Sequence, residues 1–255
     1  MPSHDQTVQA QFDPGSQRYL TSSVHAGGPD LEWVENWLQR DAGEASSALD
    51  IGCGPGHLSF RLTTRFANVC AVDPSASMLQ TLGEEAARRG MTRIRTQVAR
   101  AESLPFPDAS FDLVATRYSA HHWLDVPRAL QEMRRVLRPG GQVLVLDLLG
   151  EDSPLVDTHL QALELIRDPS HVRDYTTAEW SAQLRAAGFR TRQFLSWPLR
   201  LEFQPWVQRM AVPPQLVTLL QTLMARAPQE VRTQLKFEAD GSFCVRTGLF
   251  EAEAD

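Results

Sequence analysis

Short apolar runs alternate along the chain with segments whose apolar positions recur at helical spacing. The runs predict strands and the periodic segments predict helices, because this alternation is typical of repeated βαβ units around a largely parallel sheet. The predicted strands are 48–51, 68–72, 94–99, 113–119 and 142–146, and the predicted helices between them are 56–65, 75–89 and 125–137. We therefore expect an α/β fold. A further helix at 31–40 should precede the first strand.

The pattern changes after residue 150, where helical periodicity dominates. Thr176 and Glu179 have the spacing of a capping box at the start of another helix. Strands are expected near 191–196 and 242–249. The residues between them, about 203–238, are mostly helical in pattern with a break at two prolines, so we expect a helical insertion that caps the site.

Composition and charge exclude several classes of function. The chain has 255 residues, 42% apolar and 22% charged, which fits one to two ordinary globular domains. A formal net charge of −6 disfavours nucleic acid as a partner. The three cysteines form no CxxC pair or Cys/His cluster, so neither a disulfide framework nor a metal site is indicated. Without a signal-like start or a long apolar run, we expect a cytoplasmic protein with no membrane span.

A glycine-rich loop carries the strongest chemical signal. The stretch ALDIGCGPGH predicts a buried strand that ends in Asp50, followed by a loop with Gly52 and Gly54 that opens a helix. A carboxylate before such a loop suits a cationic ligand group better than a pyrophosphate, and the amino acid end of S-adenosylmethionine carries an ammonium. Asp73 ends the next strand, where an acidic side chain can accept hydrogen bonds from both hydroxyls of a ribose.

Five segments in order resemble class I S-adenosylmethionine-dependent methyltransferases over about residues 45–190. They are ALDIGCGPGHLS, AVDPSASML, AESLPFPDASFDLV, RYSAHHW and EMRRVLRPGGQVLVLD. Within that superfamily the chain is similar to the small-molecule branch that contains the ubiquinone/menaquinone-biosynthesis (UbiE-like) methyltransferases, and to bacterial relatives with a paired histidine after the fourth strand. The resemblance implies methyl transfer from S-adenosylmethionine to a small-molecule acceptor, for which a quinone-like or phenol-like compound is one candidate.

The resemblance also implies a Rossmann-like architecture with seven strands, six of them parallel and the last antiparallel, and helices on both faces of the sheet. We expect one methyltransferase domain over 1–255. Its parts would be a cofactor-covering segment and helix at 1–44, a cofactor-binding core at 45–150, and a C-terminal half at 151–255 with the helical insertion. The oligomeric state is left open.

The resemblance assigns a set of cofactor-binding positions. Asp50, Gly52 and Gly54 would surround the methionine end, Asp73 would hold the ribose, and the backbone around Arg117 would face the methionine amine. The expected set is Tyr19, Asp50, Gly52, Cys53, Gly54, Asp73, Pro74, Met78, Ala101, Glu102 and Arg117. Two of these have an equally good structural interpretation, because Met78 can be core filler and Tyr19 can pack on the first helix. Cys53 need only be small enough to fit between two glycines.

One position departs from the family pattern. Arg100 stands where many relatives have a small polar or acidic residue, so we expect other groups to contact the adenine amino group. Phe12, with Tyr19, belongs to a polar segment that resembles the cofactor-covering segment of these relatives.

The candidate catalytic residues are His121 and His122, which follow the fourth strand at the edge where open α/β sheets bind ligands. An imidazole can deprotonate an acceptor near neutral pH. The alternative is that both histidines line the pocket and that alignment of the reactants suffices. His171 is a third candidate base, and its loop at 167–175 is a candidate contact for an anionic or phenolic substrate.

Two other functions remain open from the sequence. Gly52, Gly54 and an acid about 20 residues on also echo the fingerprint of nicotinamide-dependent oxidoreductases, although His57 stands where a third glycine is required. The second is a protein that binds S-adenosylmethionine without transferring its methyl group. The sequence does not indicate which acceptor atom is methylated.

Overall fold

The computed structural model describes residues 1–40 and 46–254, and the expected boundary between residues 44 and 45 lies outside the described residues. Seven strands form one sheet in the order β3-β2-β1-β4-β5-β7-β6. The strands are β1 (Ser47–Ile51), β2 (Asn68–Asp73), β3 (Ile94–Val98), β4 (Phe111–Arg117), β5 (Leu137–Leu149), β6 (Phe189–Leu201) and β7 (Phe243–Ala254). The neighbouring pairs among β1 to β5 are parallel, whereas β7 runs antiparallel to both β5 and β6. The predicted class, with six parallel strands and an antiparallel last strand, is confirmed.

Helices surround the sheet. They are α1 (His4–Phe12), α2 (Ser16–Leu20), α3 (Ser23–Ala26), α4 (Pro29–Arg40), α5 (His57–Leu62), α6 (Ala76–Arg88), α7 (Val126–Val136), α8 (Pro154–Arg167), α9 (Thr177–Ala186), α10 (Phe203–Arg209), α11 (Pro214–Ala225) and α12 (Gln229–Gln234). The last three form the helical insertion between β6 and β7. The predicted capping box starts α9, with the Glu179 amide donating to the Thr176 hydroxyl and the Thr176 amide donating to Glu179.

The central strands are buried on both faces, as their continuous apolar runs predict. Along β4, Leu113 belongs to the cluster built with α4 and α5, and its neighbour Val114 belongs to the cluster built with α7 and α9. A third cluster joins α8 to the insertion through side chains such as Leu160 and Trp206. The sheet is therefore a rigid frame on which the loops at its carboxyl edge are held.

Several strands differ from their predicted bounds; β6 and β7, for example, are longer than the predicted 191–196 and 242–249. For β4 and β5 the reasons can be identified. β4 ends at Arg117 because Tyr118 takes a left-handed conformation with φ of 53°. β5 begins at Leu137, which pairs with Phe111. The Pro-Gly-Gly turn that was expected to separate helix from strand lies within β5, where the pairing with β4 shifts in register between Phe111 and Leu113. Within the described ranges, none of the helices has the length and apolar character needed to cross a bilayer.

Candidate active site

A cleft of about 1020 Å³, a volume that includes open solvent at its mouth, lies at the carboxyl ends of β1, β2 and β4. Every residue of the expected cofactor-binding set lines it, and so does His122. His121 does not. The parallel strands bring together positions that lie up to about a hundred residues apart in the chain, as expected for an open α/β sheet.

The glycine loop is shaped by its neighbours on the sheet. The amides of Gly52 and Cys53 both donate to the carbonyl of Val72, at 2.8 and 3.0 Å, so neither amide is free for a ligand. Gly52 has φ of 64°, and a Cβ there would overlap the side chain of Ser119. Gly54 also has positive φ, but a Cβ there would meet nothing within 4 Å. Gly52 is thus required by the protein itself, whereas the space beside Gly54 is open.

Asp50 is a buried carboxylate with an unsatisfied oxygen. Its Oδ2 accepts a 2.5 Å hydrogen bond from the Ser59 hydroxyl, while Oδ1 is buried without a hydrogen-bond partner in the described structure. Burial raises the pKa of Asp50 to about 7. A buried acceptor that lines a cleft and lacks a partner fits a ligand that brings a donor.

Asp73 is held differently. Its Oδ2 accepts from the Gly54 amide at 2.9 Å and its Oδ1 accepts from the Ser75 amide at 2.8 Å. Burial raises the pKa of Asp73 to about 6. Each carboxylate oxygen keeps a second lone pair, so the side chain is fixed in place and can still accept a pair of hydroxyl donors.

Ion pairs at the rim of the cleft account for the arginine at position 100. Its guanidinium pairs with Asp5 of α1 at 2.6 Å and lies 3.5 Å from Glu102. Glu102 also accepts from the Leu124 amide at 3.0 Å. Arg100 therefore ties the N-terminal helix to the rim of the cleft. Met78, on the opposite wall, is buried and packs with Tyr19.

The side chain of Arg117 is engaged within the protein, whereas the prediction for this position concerned its backbone. Its side chain forms a buried ion pair with Asp30 at 2.5 Å and donates to the carbonyl of His25 at 2.9 Å. The guanidinium also lies over the ring of Tyr118, 4.3 Å from the centroid. The side chain thus anchors the chain before α4 to the end of β4, and only the backbone of Arg117 remains available to a ligand.

The N-terminal segment covers the cleft through several contacts. The Tyr19 hydroxyl donates to the sulfur of Met210 at the end of α10, and the ring of Tyr19 packs against Phe12. His57, which stands in place of a third glycine, donates from Nε2 to the Tyr19 carbonyl at 3.1 Å. His4 donates to the carbonyl of His122 at 2.9 Å. The N-terminal segment therefore contacts both the helix that follows the glycine loop and the histidine pair.

A second cavity of about 550 Å³ adjoins the cleft. The two share a wall made of Phe12, Tyr19, His25, Tyr118 and His122. The residues that line the second cavity but not the cleft include His121, Glu164, Arg167, Asp168, His171, Trp206 and Arg209. Of the insertion, α10 closes this cavity, while residues of α11 and α12 line neither space.

His121 is held as a cation. Its Nδ1 donates to Asp147 at 2.6 Å, and its backbone amide donates to the other oxygen of the same carboxylate at 3.1 Å. Burial alone would lower the pKa of His121, but the Asp147 carboxylate outweighs it and raises the pKa to about 9. A protonated imidazole cannot accept a proton, so His121 is not suited to be the base.

His122 is neutral and correctly oriented. Its Nδ1 lies 3.1 Å from the carbonyl of Ser170, which can only accept, so Nδ1 carries the proton and Nε2 carries the lone pair. Burial and the charge of His121 lower the pKa of His122 to about 4. His171 is also neutral, because burial lowers its pKa to about 2, but it lines the second cavity only.

Cys53 is buried, and burial raises the pKa of its thiol well above the ordinary value, so it is not a nucleophile. Among residues 1–40 and 46–254, no group of three or more His, Cys, Asp or Glu side chains is arranged to hold a metal ion.

Sequence reasoning missed Ser119, Asp147 and Arg209. Asp147 is a charge within the apolar run of β5, and a charge in a buried strand is a signal that it has a partner. Ser170 lies in the loop 167–175 that was expected to contact the substrate, whereas the guanidinium of Arg209 reaches the second cavity through long-range packing, for which the sequence carries no local signal.

Comparisons with known proteins agree with this geometry. A family model described as a methyltransferase domain matches residues 49–145. The uncharacterized protein YafE of Escherichia coli is 40% identical over 192 residues, which cover 75% of this chain and 93% of YafE. The uncharacterized methyltransferase YcgJ of Bacillus subtilis is 31% identical over 96% of this chain and 98% of its own length. The crystal structure of YcgJ matches with a TM-score of 0.81, covering 88% of this chain and 97% of that one.

The ubiquinone/menaquinone-biosynthesis C-methyltransferase of Hahella chejuensis is 41% identical over 155 residues, 58% of this chain and 62% of that protein. The residues of the cleft fit S-adenosylmethionine. Asp50 offers an unsatisfied acceptor for its ammonium, and a Cβ at Gly54 would meet nothing within 4 Å, so there is open space for the ligand. These relatives decide against a nicotinamide-dependent oxidoreductase. With a methyltransferase relative aligned along nearly its whole length, the chain belongs to the class I S-adenosylmethionine-dependent methyltransferases, and S-adenosylmethionine is its cofactor.

Proposed function

We propose that this protein methylates a small-molecule acceptor bound in the second cavity, with His122 as the general base. The observation that carries the proposal is the position of His122 on the wall between the two cavities, neutral and with its Nε2 lone pair free to accept a proton. The cleft binds the cofactor through the expected set, with Asp50 toward the ammonium and Asp73 toward the ribose. S-adenosylmethionine supplies a methyl group already activated on a positively charged sulfur.

The second cavity suits an acceptor with an acidic hydroxyl or carbon. Such an acceptor must lose a proton when it is methylated, and His122 can take it. Asp168 Oδ2 lies 3.9 Å from the Nε2 of His122 and stabilises the imidazolium that forms. His121, fixed as a cation by Asp147, stabilises negative charge that develops on the acceptor. A phenol-like acceptor, or a quinone-like one in its reduced quinol form, has this chemistry, and the partial similarity to the ubiquinone/menaquinone-biosynthesis enzyme supports it.

We further propose that 1–255 works as one domain in the cytoplasm. In this arrangement, 1–44 covers the cofactor, 45–150 binds it, and 151–255 supplies most of the acceptor cavity.

Substitution of His122 tests the base. His122→Asn should lower turnover by roughly 10²- to 10⁴-fold, the usual contribution of general-base catalysis, and should leave the affinity for S-adenosylhomocysteine unchanged. The assay is transfer of a labelled methyl group from S-adenosylmethionine to a panel of phenols and quinols, with calorimetric titration of S-adenosylhomocysteine beside it. Near-normal turnover in His122→Asn would show that alignment alone is enough.

The pH profile supplies a second test. Because the pKa of His122 is about 4, the wild-type rate at saturating S-adenosylmethionine should not fall until the pH approaches that value. His121→Gln removes the neighbouring positive charge, so the pKa of His122 should rise and the acid limb of the profile should move to higher pH. Asp147→Asn should move it in the same direction, since His121 loses the carboxylate that keeps it protonated. An acid limb that stays in place in both variants would contradict the assignment.

A further inference from the structure

The charges around the second cavity are unevenly matched. Two carboxylates and three cations line it. His121 is compensated by Asp147 behind it, and Arg167 lies 3.3 Å from Glu164. Arg167 also donates to the Trp206 carbonyl at 3.1 Å and lies over the ring of that residue. These two cations are therefore held by the protein.

Arg209, at the end of α10, is not held in this way. Its Nε is buried without a hydrogen-bond partner, and in the described part of the chain no carboxylate lies within ion-pair distance of its guanidinium. The Tyr19 hydroxyl is close enough to interact, but it is a neutral group. Burial and the neighbouring charge of Arg167 lower the pKa of Arg209 to about 10. At neutral pH the group is still a cation.

Each of the two carboxylates that line the cavity has one oxygen engaged by a neighbouring group. Glu164 uses Oε2 for Arg167, and its Oε1 is buried without a partner. Asp168 accepts two hydrogen bonds from Ser170 on Oδ1, at 2.8 Å from the amide and 2.5 Å from the hydroxyl, and faces His122 with Oδ2. Arg209 is partly buried, and the Glu164 carboxylate acts on its charge without reaching ion-pair distance. A partly buried guanidinium without an ion-pair partner is incompletely compensated, so Arg209 favours a ligand that brings a negative charge.

Arg209 also lies at an opening. A groove on the surface shares Val24, Leu201, Trp206 and Arg209 with the second cavity, and Arg18 is part of its rim. Arg18 donates to the backbone carbonyl of Arg209 at 3.2 Å. The groove is lined by three arginines, Arg18, Arg200 and Arg209, and by one carboxylate, Glu202.

We propose that the acceptor carries an anionic group, a carboxylate or a phosphate, which Arg209 binds at the groove end of the second cavity, flanked by Arg167. The acceptor is then held at two points, by its anionic group at Arg209 and by its reacting atom beside His122. This inference rests on the proposed function, because it places the acceptor in the same cavity. It narrows the acceptor class from phenols and quinones in general to those that are also acids.

Calorimetric titration of the protein saturated with S-adenosylhomocysteine tests the inference, with benzoate, phenyl phosphate and benzamide as probes. Benzoate or phenyl phosphate should bind at least roughly tenfold more tightly than benzamide, and Arg209→Gln should abolish this preference, since charge-assisted hydrogen bonds are worth about ten- to hundredfold. The tighter of the two anions identifies carboxylate or phosphate as the group.

Matched variants separate charge from packing. Arg209→Lys should keep part of the preference, and Arg185→Gln, which removes an exposed arginine from α9, should keep all of it. Thermal unfolding of each variant checks that it folds. Equal binding of benzamide and the anions, no binding of either anion at millimolar concentration, or a preference that survives in Arg209→Gln would overturn the inference.

The same titrations, together with the methyl-transfer assay, distinguish the proposed function from the proposed anion-binding subsite. If the wild type binds S-adenosylhomocysteine and transfers methyl groups equally well to neutral and acidic phenols, only the anionic subsite is wrong. If the wild type does not bind S-adenosylhomocysteine, the proposed function fails together with the inference that rests on it.

Discussion

Asp50 and Asp73 show how two buried carboxylates in one cleft can have different tasks. Asp73 is fixed by two backbone amides, whereas Asp50 has one hydroxyl partner and an unsatisfied oxygen. The sequence predicted both positions, because a strand end and the loop after it are local features. It could not predict that the amides of Gly52 and Cys53 are taken by Val72, since that contact depends on how β1 and β2 pair.

Replacing Asp50 with Asn should separate binding from stability. At about pH 8 the wild-type carboxyl is ionised and buried, so Asp50→Asn should unfold at the same temperature or higher while binding S-adenosylhomocysteine about ten- to hundredfold more weakly. Thermal unfolding and calorimetry measure the two quantities. An Asn variant that loses stability but keeps its affinity would show that Asp50 is structural.

The same carboxyl should make cofactor binding depend on pH. Burial raises the folded-state pKa of Asp50 to about 7, so the group gains a proton as the pH falls from about 8 to about 5.5 and no longer attracts an ammonium. Affinity for S-adenosylhomocysteine should therefore fall over this range in the wild type, and less steeply in Asp50→Asn. Part of the slope should remain in the variant, because burial raises the pKa of Asp73 to about 6.

At the scale of elements, the N-terminal helices were hardest to predict. α1 has no buried residue, so it lacks the apolar stripe by which α4 and α7 are recognised. The signal that remains is the Ser3 and Gln6 capping box at its start. These helices are held instead by polar contacts with distant positions, such as Asp5 with Arg100, and no periodic pattern encodes such contacts.

The pair formed by Arg117 and Asp30 should matter for stability rather than for chemistry. Both side chains are about 95% buried, with 5% and 4% of their surfaces exposed. Asp30→Asn should therefore lower the free energy of unfolding by about 3 to 5 kcal/mol, because it leaves a buried guanidinium without its counter-ion. Urea denaturation measures this change.

An exposed pair provides the matched control. Glu35→Gln breaks the ion pair with Arg61, in which Glu35 is half exposed, and should cost less than about 1 kcal/mol. Replacing both charged residues by apolar ones, in the double variant Asp30→Leu/Arg117→Met, should recover much of the lost free energy of unfolding. Equal effects of Asp30→Asn and Glu35→Gln would mean that the buried pair is not an anchor.

At the scale of the whole molecule, segments from the two ends of the chain meet over the site. Tyr19 contacts Met210, Gln11 donates to the Met210 carbonyl at 3.1 Å, and Arg18 donates to the Arg209 carbonyl. The sequence predicted the sheet that brings these ends together, since the order of motifs is characteristic of the family. It predicted a cap from the whole insertion, but of the insertion helices only α10 lines the second cavity.

This contact should transmit cofactor binding to α10. S-adenosylhomocysteine should slow amide hydrogen exchange in residues 205–212, although none of them lines the cofactor cleft, by roughly fivefold, which corresponds to one hydrogen bond of about 1 kcal/mol. Tyr19→Phe should reduce this protection. Tyr175→Phe is the matched control, because Tyr175 packs against Trp180 instead. Equal protection in both variants would show that the ends are not coupled.

The position of β7 has a consequence for biosynthesis. β7 is the last of the seven strands to leave the ribosome, yet it lies inside the sheet, and β6 reaches the other strands through it. Until β7 arrives, β6 has no neighbour to pair with, so in a nascent chain that stops before residue 243 the outer edge of β5 and both edges of β6 are unpaired. The second cavity, which needs α10 beside the finished sheet, is therefore completed only when the last strand has been made.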